Sequence, residues 1–334
     1  MSSLWETGFM VREPSWHRLE RSVLATSPTS WQDARREAGL DWDVQSEPVY
    51  AMNPDTGMFT QIPDWQQITR DDLAFADPSR VLAVQPSSYA VINNTAFGEV
   101  INAVVGLTVD DDPVVFEALF ALRGGRQIVA LLYFQTPLEM GGIDGSKTYT
   151  FLCLVSRHDG NGGLRGIPTN VRVQCANTLN TAEFLDGRSV GFTIRHTANW
   201  DERVADAAAT ISAARGDSKK WVEFANQLAN WSVTNRQRDT YLRRLFPVSD
   251  DMGERMADNQ LARREQIRAI LASPTCADLG ANGYQLLMAT TEWTDYYRSF
   301  QTTDSLIGRQ LLEKQEPKAK GARILRDMAR LKTR

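Results

Sequence analysis

The stretch Val114-Val115-Phe116-Glu117-Ala118-Leu119-Phe120-Ala121-Leu122-Arg123-Gly124-Gly125-Arg126-Gln127-Ile128-Val129-Ala130-Leu131-Leu132-Tyr133-Phe134 decides the fold class. Two apolar runs of strand length, 114–122 and 127–134, are joined by Arg-Gly-Gly-Arg. Glycine reaches the left-handed backbone that a tight reversal needs, so this pattern predicts a β-hairpin.

The flanking sequence extends the pattern in both directions. Upstream, Asn94 is placed to cap a helix with apolar positions Phe97, Val100, Ile101, Val104 and Val105. That i, i+3, i+4, i+7, i+8 spacing buries one face, and Gly106 supplies a stop. Val81–Val84 and Tyr89–Ile92 are short apolar pieces. Nearer the start, Ser30 with Asp33 reads as an N-cap for a helix over 31–38, ended by Gly39. Trp42–Val44 and Val49–Met52 read as strands, with a turn at Asn53–Gly57. Downstream, Tyr149–Val155 is apolar throughout, as expected of a central strand covered on both faces. Val171 to Cys175 alternates, with Val171, Val173 and Cys175 inward and Arg172 and Gln174 outward. Val190–His196 makes a further strand, with Phe192 and Ile194 inward.

After Asn199 the period-2 pattern fades. Ala205, Ala208, Ala209 and Ile211 begin one helix, and Trp221, Phe224, Ala225, Leu228 and Trp231 mark the face of the next. Further helices are expected over 236–245, 254–271, 282–300, 303–315 and 319–332. The fold class is therefore α+β: an antiparallel or mixed sheet in 1–198 and a helical region over 199–334, packed on the sheet.

Composition narrows the setting. Of 334 residues, 42% are hydrophobic and 23% charged, an ordinary globular balance. No apolar run is long enough to span a membrane, so no membrane association is expected. Residues 1–10 hold Glu6 and no basic segment, unlike a secretory signal. Three cysteines without a CxxC pair point to reduced thiols and a cytoplasmic location. Residues 1–200 carry 15 Lys+Arg and 23 Asp+Glu, net −8, whereas 201–334 carry 22 and 18, net +4. The positive second half points to an anionic partner.

Several motifs, in order, carry a resemblance: Arg12-Glu13-Pro14-Ser15-Trp16-His17, Gly39-Leu40-Asp41-Trp42-Asp43-Val44, Arg123-Gly124-Gly125-Arg126, Ser156-Arg157-His158-Asp159-Gly160, Val171 to Leu179, and Ile194-Arg195-His196-Thr197. Together they resemble the DUF932 family of phage- and plasmid-like proteins, over about residues 10–300. The late segment Asn282-Gly283-Tyr284 to Tyr297 resembles the closing helix of that family. Two stretches depart from the family pattern: Arg157 is inserted in Ser-His-Asp-Gly, and Ala281-Asn282-Gly283-Tyr284 replaces a Gly-Thr-aromatic turn. The resemblance implies a mobile-element setting in a bacterial host cell and brings no established activity.

Catalytic signatures are sparse. There is no P-loop, HExxH, or GxGxxG after a strand. Asp110-Asp111-Asp112 before Pro113 reads as a solvated turn. No cofactor, catalytic residue or metal ligand is assigned. Outward cations and amides suit phosphates and base edges better. The nucleic-acid candidates are His158, Arg165, Arg172, Gln174, Asn177, Arg195 and His196 around the sheet, with Arg323, Arg326 and Arg330 on the last helix. That helix should dock through Ile324, Leu325, Met328 and Leu331 with its basic face outward. The expected function is an accessory protein of mobile elements that contacts single-stranded DNA in replication or recombination. Two alternatives stay open: an enzyme using His158, Asp159, His196 and Cys175 as a metal or acid–base site, and a non-catalytic scaffold or host-modulating protein. A homo-oligomer is compatible with each.

Overall fold

The computed structural model describes residues 8–11, 23–105, 108–109, 111–139, 147–172, 178–180, 192–194, 204–297 and 316–332. The hairpin forms as the glycine link requires. Strand β6 (Asp112–Leu122) turns through Arg123–Gly125 into β7 (Gln127–Phe134), with Leu122 opposite Gln127. The turn takes left-handed backbone at Arg123 (φ 55°), Gly124 (67°) and Gly125 (94°).

Around this hairpin the sheet runs β1 (Gly8–Met10), β6, β7, β9 (Lys147–Arg157), β10 (Leu164–Arg172). Both β11 (Thr178–Asn180) and β12 (Phe192–Ile194) pair with β10, β5 (Thr108–Val109) pairs with β6, and β8 (Leu138–Glu139) with β9. Every pairing is antiparallel. β9 is central, as its unbroken apolar run predicts. Leu152 and Leu154 enter one core, and Phe151, Cys153 and Val155 the other. In β6 the parity changes at Glu117. Val114 and Phe116 share a face with Leu119 and Ala121, because a register shift between Phe116 and Ala118 adds one residue to the strand.

The first face is covered by α1 (Trp31–Glu37) and α2 (Asn94–Val104), together with a small sheet of β2 (Val44–Met52), β3 (Phe59–Arg70) and β4 (Val81–Pro86). Phe97, Val100, Ile101 and Val104 of α2 are buried, as their spacing predicts. The cap is Asn93, one residue before the expected Asn94; its side chain accepts from Ala96 N. Of the expected strand Trp42–Val44 only Val44 is strand; it and Val49–Met52 belong to β2, whose register with β3 shifts after Pro48, and Tyr89–Ile92 is not a strand. Asp112 is buried and accepts from Thr136 N, so the third carboxylate of the acidic run leaves the solvent.

The helical half has its own core. It comprises α3 (Val204–Ala229), α4 (Asn235–Leu245), α5 (Glu254–Leu271), α6 (Gly283–Glu292) and α7 (Glu316–Lys332). The two helices expected before residue 231 are one continuous helix, α3. It packs on α2, β8, β9, β10 and β12 on one side and on α6 on the other. Every residue of α6 is buried, so it is the central helix. It closes in a π-helical turn, Trp293–Tyr297. The chain is α+β, with sheet first and helices second. Among the described residues, no helix is long and apolar enough to cross a membrane.

Candidate functional site

Three of the motif segments meet at one end of the sheet. The Trp42-Asp43 segment, the Arg-Gly-Gly-Arg turn and the Ser-Arg-His-Asp-Gly loop gather around the start of α2. His158 is 1% exposed. Its Nε2 lies 3.0 Å from Asn94 Oδ1, and Asn94 Nδ2 donates to Trp42 O at 3.0 Å. With the amide oriented that way, Asn94 Oδ1 only accepts, so His158 carries its proton on Nε2. Asp43 finishes the helix start: its carboxylate accepts from Asn94 N (2.7 Å), Thr95 Oγ1 (2.7 Å) and Val44 N (2.8 Å). His158 N donates to Arg126 O, which joins the loop to the hairpin turn.

Arginines lock the same junction from outside. Arg126 donates to Leu82 O and Val81 O, tying the turn to β4. Arg70 lies 4.1 Å above the Trp42 ring, donates to Gly124 O and pairs with Asp72. Gly125 is required by contact as well as conformation, since a Cβ on it would lie 2.8 Å from the buried Trp42 ring, and Gly160 is required by its left-handed backbone (φ 73°). Tyr89 donates to Arg157 O, and burial, then the Asp159 charge, raises its pKa. The junction fastens hairpin, loop and helix together. Asp159 accepts from Asn161 N within the loop. Among the described residues, no three His, Cys, Asp or Glu side chains are grouped to hold a metal.

The other sequence-predicted residues are spread over the fold. Arg165 lies in β10 between Val155 and Thr193, half-buried, on the sheet face of Cys153 and Ile167. Arg172 stands opposite Thr148, and its side chain lies outside the described residues, as do Gln174, Asn177, Arg195, His196 and the Arg330 side chain. Cys175, Val173 and the side chains of Val171 and Phe192 also lie outside them, whereas Ile194 is buried as expected. On α7, Arg323 is exposed and the Arg326 guanidinium sits 5.2 Å from the Phe224 ring. Ile324, Leu325 and Met328 dock as expected. The basic face is not wholly outward, however. Lys318 is buried against Asp295, and Lys320 donates to Leu245 O at the end of α4. The buried carboxylate of the π-helical turn draws Lys318 inward.

Sequence reading missed the arginines of α4 and α5. Arg264 donates Nε and Nη2 to Phe246 O (2.9 and 2.6 Å), which leaves Nη1 for another acceptor. Its pKa is lowered by burial and then by the charges of Arg243 and Arg268. Arg268 is neutralised by Asp239 and Glu265. Arg236 and Arg243, seven residues apart on α4, are exposed and form no ion pair among the described residues. Arg323 on α7 is likewise exposed, and Arg244 links α4 to α7 through Asp327. The helix over 236–245 and its Arg236–Arg243 spacing were legible, but only the tertiary fold brings Arg264 near Arg243.

The model of the DUF932 domain, a domain of unknown function, matches residues 81–316, most of the chain. The chain belongs to the DUF932 family. In this DUF932 protein the matched segment holds the sheet from β4 onward, the histidine junction's loop and turn, and helices α2 to α6. The late family segment departs in sequence yet still caps a helix. Asn282 accepts from Gln285 N, and a Cβ on Gly283 would lie 2.8 Å from Trp231. No curated protein and no solved structure matches the chain.

Proposed function

We propose that this DUF932 protein contacts nucleic acid, with single-stranded DNA as the partner, as an accessory factor of mobile elements. The observation that supports the reading best is the arginine surface of the helical half. Arg264 lies near Arg243 and Arg268, and burial and then their charges lower its pKa. Arg236 is exposed on the helix of Arg243, and Arg323 on α7, which packs against that helix, while Arg268 and Arg244 are neutralised by acids. Like charges held close repel, and an anion laid among them relieves that repulsion. Planar guanidinium groups suit phosphate oxygens, which position a strand without reading its bases. The histidine junction has a different part in this reading. His158 is buried and bonded to Asn94, so it shapes the fold around the loop instead of meeting a ligand from solvent.

The test is binding of a labelled single-stranded oligonucleotide, followed by fluorescence anisotropy at low and at moderate salt. Affinity that falls with salt supports the reading. No binding at low salt ends it and leaves the scaffold reading in its place.

A further inference from the structure

The strand pair β2–β3 runs on past the third strand of its sheet. Pairing of β3 with β4 stops at Trp65–Pro86, and Asp64 next to it takes left-handed backbone (φ 62°). Beyond that bend only Tyr50–Gln61, Ala51–Thr60 and Met52–Phe59 are paired, and residues 50–61 are all exposed. Paired residues share a face, so Tyr50, Met52 and Phe59 stand together on this arm, 55%, 57% and 68% exposed. A two-stranded ribbon is marginal in water, whereas further strands on an apolar face make a stable sheet.

The edge of the arm is open as well. Among the described residues β2 pairs with β3 alone. Asn53 N donates to Met58 O, so Asn53 and Met58 form a hydrogen-bonded pair. Bonded and non-bonded pairs alternate along an antiparallel ladder. Met52–Phe59 and Tyr50–Gln61 are therefore non-bonded pairs, and the N–H and C=O groups of Tyr50 and Met52 point away from β3. Natural edges are commonly guarded by charged side chains. Here residues 48–54 read Pro-Val-Tyr-Ala-Met-Asn-Pro, without a charge. The two prolines lack an N–H and stand three residues either side of Ala51, so they confine a new ladder to the stretch between them.

We infer that β2 pairs with β2 of a second copy, antiparallel, about a two-fold axis at Ala51. Tyr50 then faces the partner's Met52, and their outward N–H and C=O groups exchange two hydrogen bonds. The axis repeats the pair, and the two arms join into one four-stranded sheet with Tyr50 against the partner's Met52 across the seam. An edge that is complementary to itself about Ala51 selects a second copy of this chain. Charge permits the pairing. Asp55 falls opposite the partner's Glu47, whose charge Arg80 already balances. Asp55 and its mate lie eight residue steps apart along the seam, about 26 Å, well beyond the screening length. The seam is small beside a standard interface, so association depends on concentration, and the two-fold closes it at a dimer. The arm precedes the segment that matches the DUF932 model, so this contact is a property of the chain beyond that segment. It does not rest on the nucleic-acid reading and uses none of that reading's arginines.

Two measurements on the full chain test it. In light scattering over a concentration series, the wild-type mass should rise toward twice that of one chain and no further. Tyr50→Lys with Met52→Lys, both at exposed sites, should stay at the mass of one chain. On the axis Ala51 meets its mate as a non-bonded pair, with Cα atoms about 4.5 Å apart, close enough for a disulfide. In a Cys175→Ser background and with a mild oxidant, Ala51→Cys should therefore become a covalent dimer. Thr60, paired with Ala51, is held from its own mate by three strand spacings, about 14 Å, so Thr60→Cys should not link. A wild type that stays monomeric over the series, or grows beyond two chains, overturns the proposal. So does a Tyr50/Met52 variant that still dimerises, or a Thr60→Cys variant that links as readily as Ala51→Cys.

Discussion

Lys318 Nζ lies 2.5 Å from Asp295 Oδ1, and neither side chain is more than 1% exposed. The pair joins α7 to the π-helical turn that ends α6, so the last helix is held by a buried charge as well as by its apolar stripe. Removing one partner takes a buried counter-charge away from the other. Lys318→Met or Asp295→Asn should each cost about 3–5 kcal/mol in chemical denaturation. Lys318→Met combined with Asp295→Leu should cost less than either single change. Single variants as stable as the wild type would mean that the pair is solvated.

Gly98 tests packing against helix propensity. It lies in the middle of α2, where alanine would ordinarily add about 1 kcal/mol. A Cβ there would lie 2.0 Å from Cδ1 of Trp31, whose ring is buried. Gly98→Ala should therefore lower the denaturation midpoint. A raised midpoint would show that Trp31 is free to move.

The Glu47–Arg80 pair sets an acid limb to stability. The Glu47 pKa is lowered, first by its hydrogen bond with Arg80, against an opposing desolvation effect. A carboxylate with a depressed folded pKa adds stability above its unfolded pKa, and the gain is lost as pH falls through the folded value. Glu47→Gln should thus destabilise at neutral pH and flatten the fall in stability on acidification below the usual carboxylate range. A variant whose acid limb matches the wild type would remove Glu47 from that account.

How much of this was legible in the sequence follows from where the information resides. The hairpin, the α2 face and the central β9 were readable because Gly124-Gly125, the Phe97-to-Val104 spacing and the Tyr149–Val155 run are local signals. β3 was not, because Thr60, Gln61, Gln66, Gln67 and Thr69 give a strand little apolar alternation to show. The parity change at Glu117 depends on a bulge set by β7 across the pair. At the candidate site, His158 was readable as a motif residue, but its partner Asn94 lies 64 positions away. Lys318 read as one more basic residue on α7, because only the tertiary fold brings Asp295 beside it.

Thiol chemistry gives a further check. Cys153 and Cys276 form no disulfide among the described residues and are buried, and burial pushes the Cys153 thiol up to about 12 against the opposing charge of Arg165. A raised pKa leaves almost no thiolate to react. In a Cys175→Ser background no thiol should label quickly in the native protein, and both should label after denaturation. Rapid native labelling would show that one of these two sites opens.

The nucleic-acid reading is tested most directly by its salt slope. Arg236, Arg243 and Arg323 are exposed and form no ion pair among the described residues, so replacing all three by Gln leaves the three cores intact. Affinity for a labelled single-stranded oligonucleotide is measured over a range of salt for the wild type and for this triple variant. If each arginine neutralises one phosphate, the slope of log affinity against log salt should become shallower by about 2. An unchanged slope with unchanged affinity, or no binding by the wild type at low salt, would contradict the account.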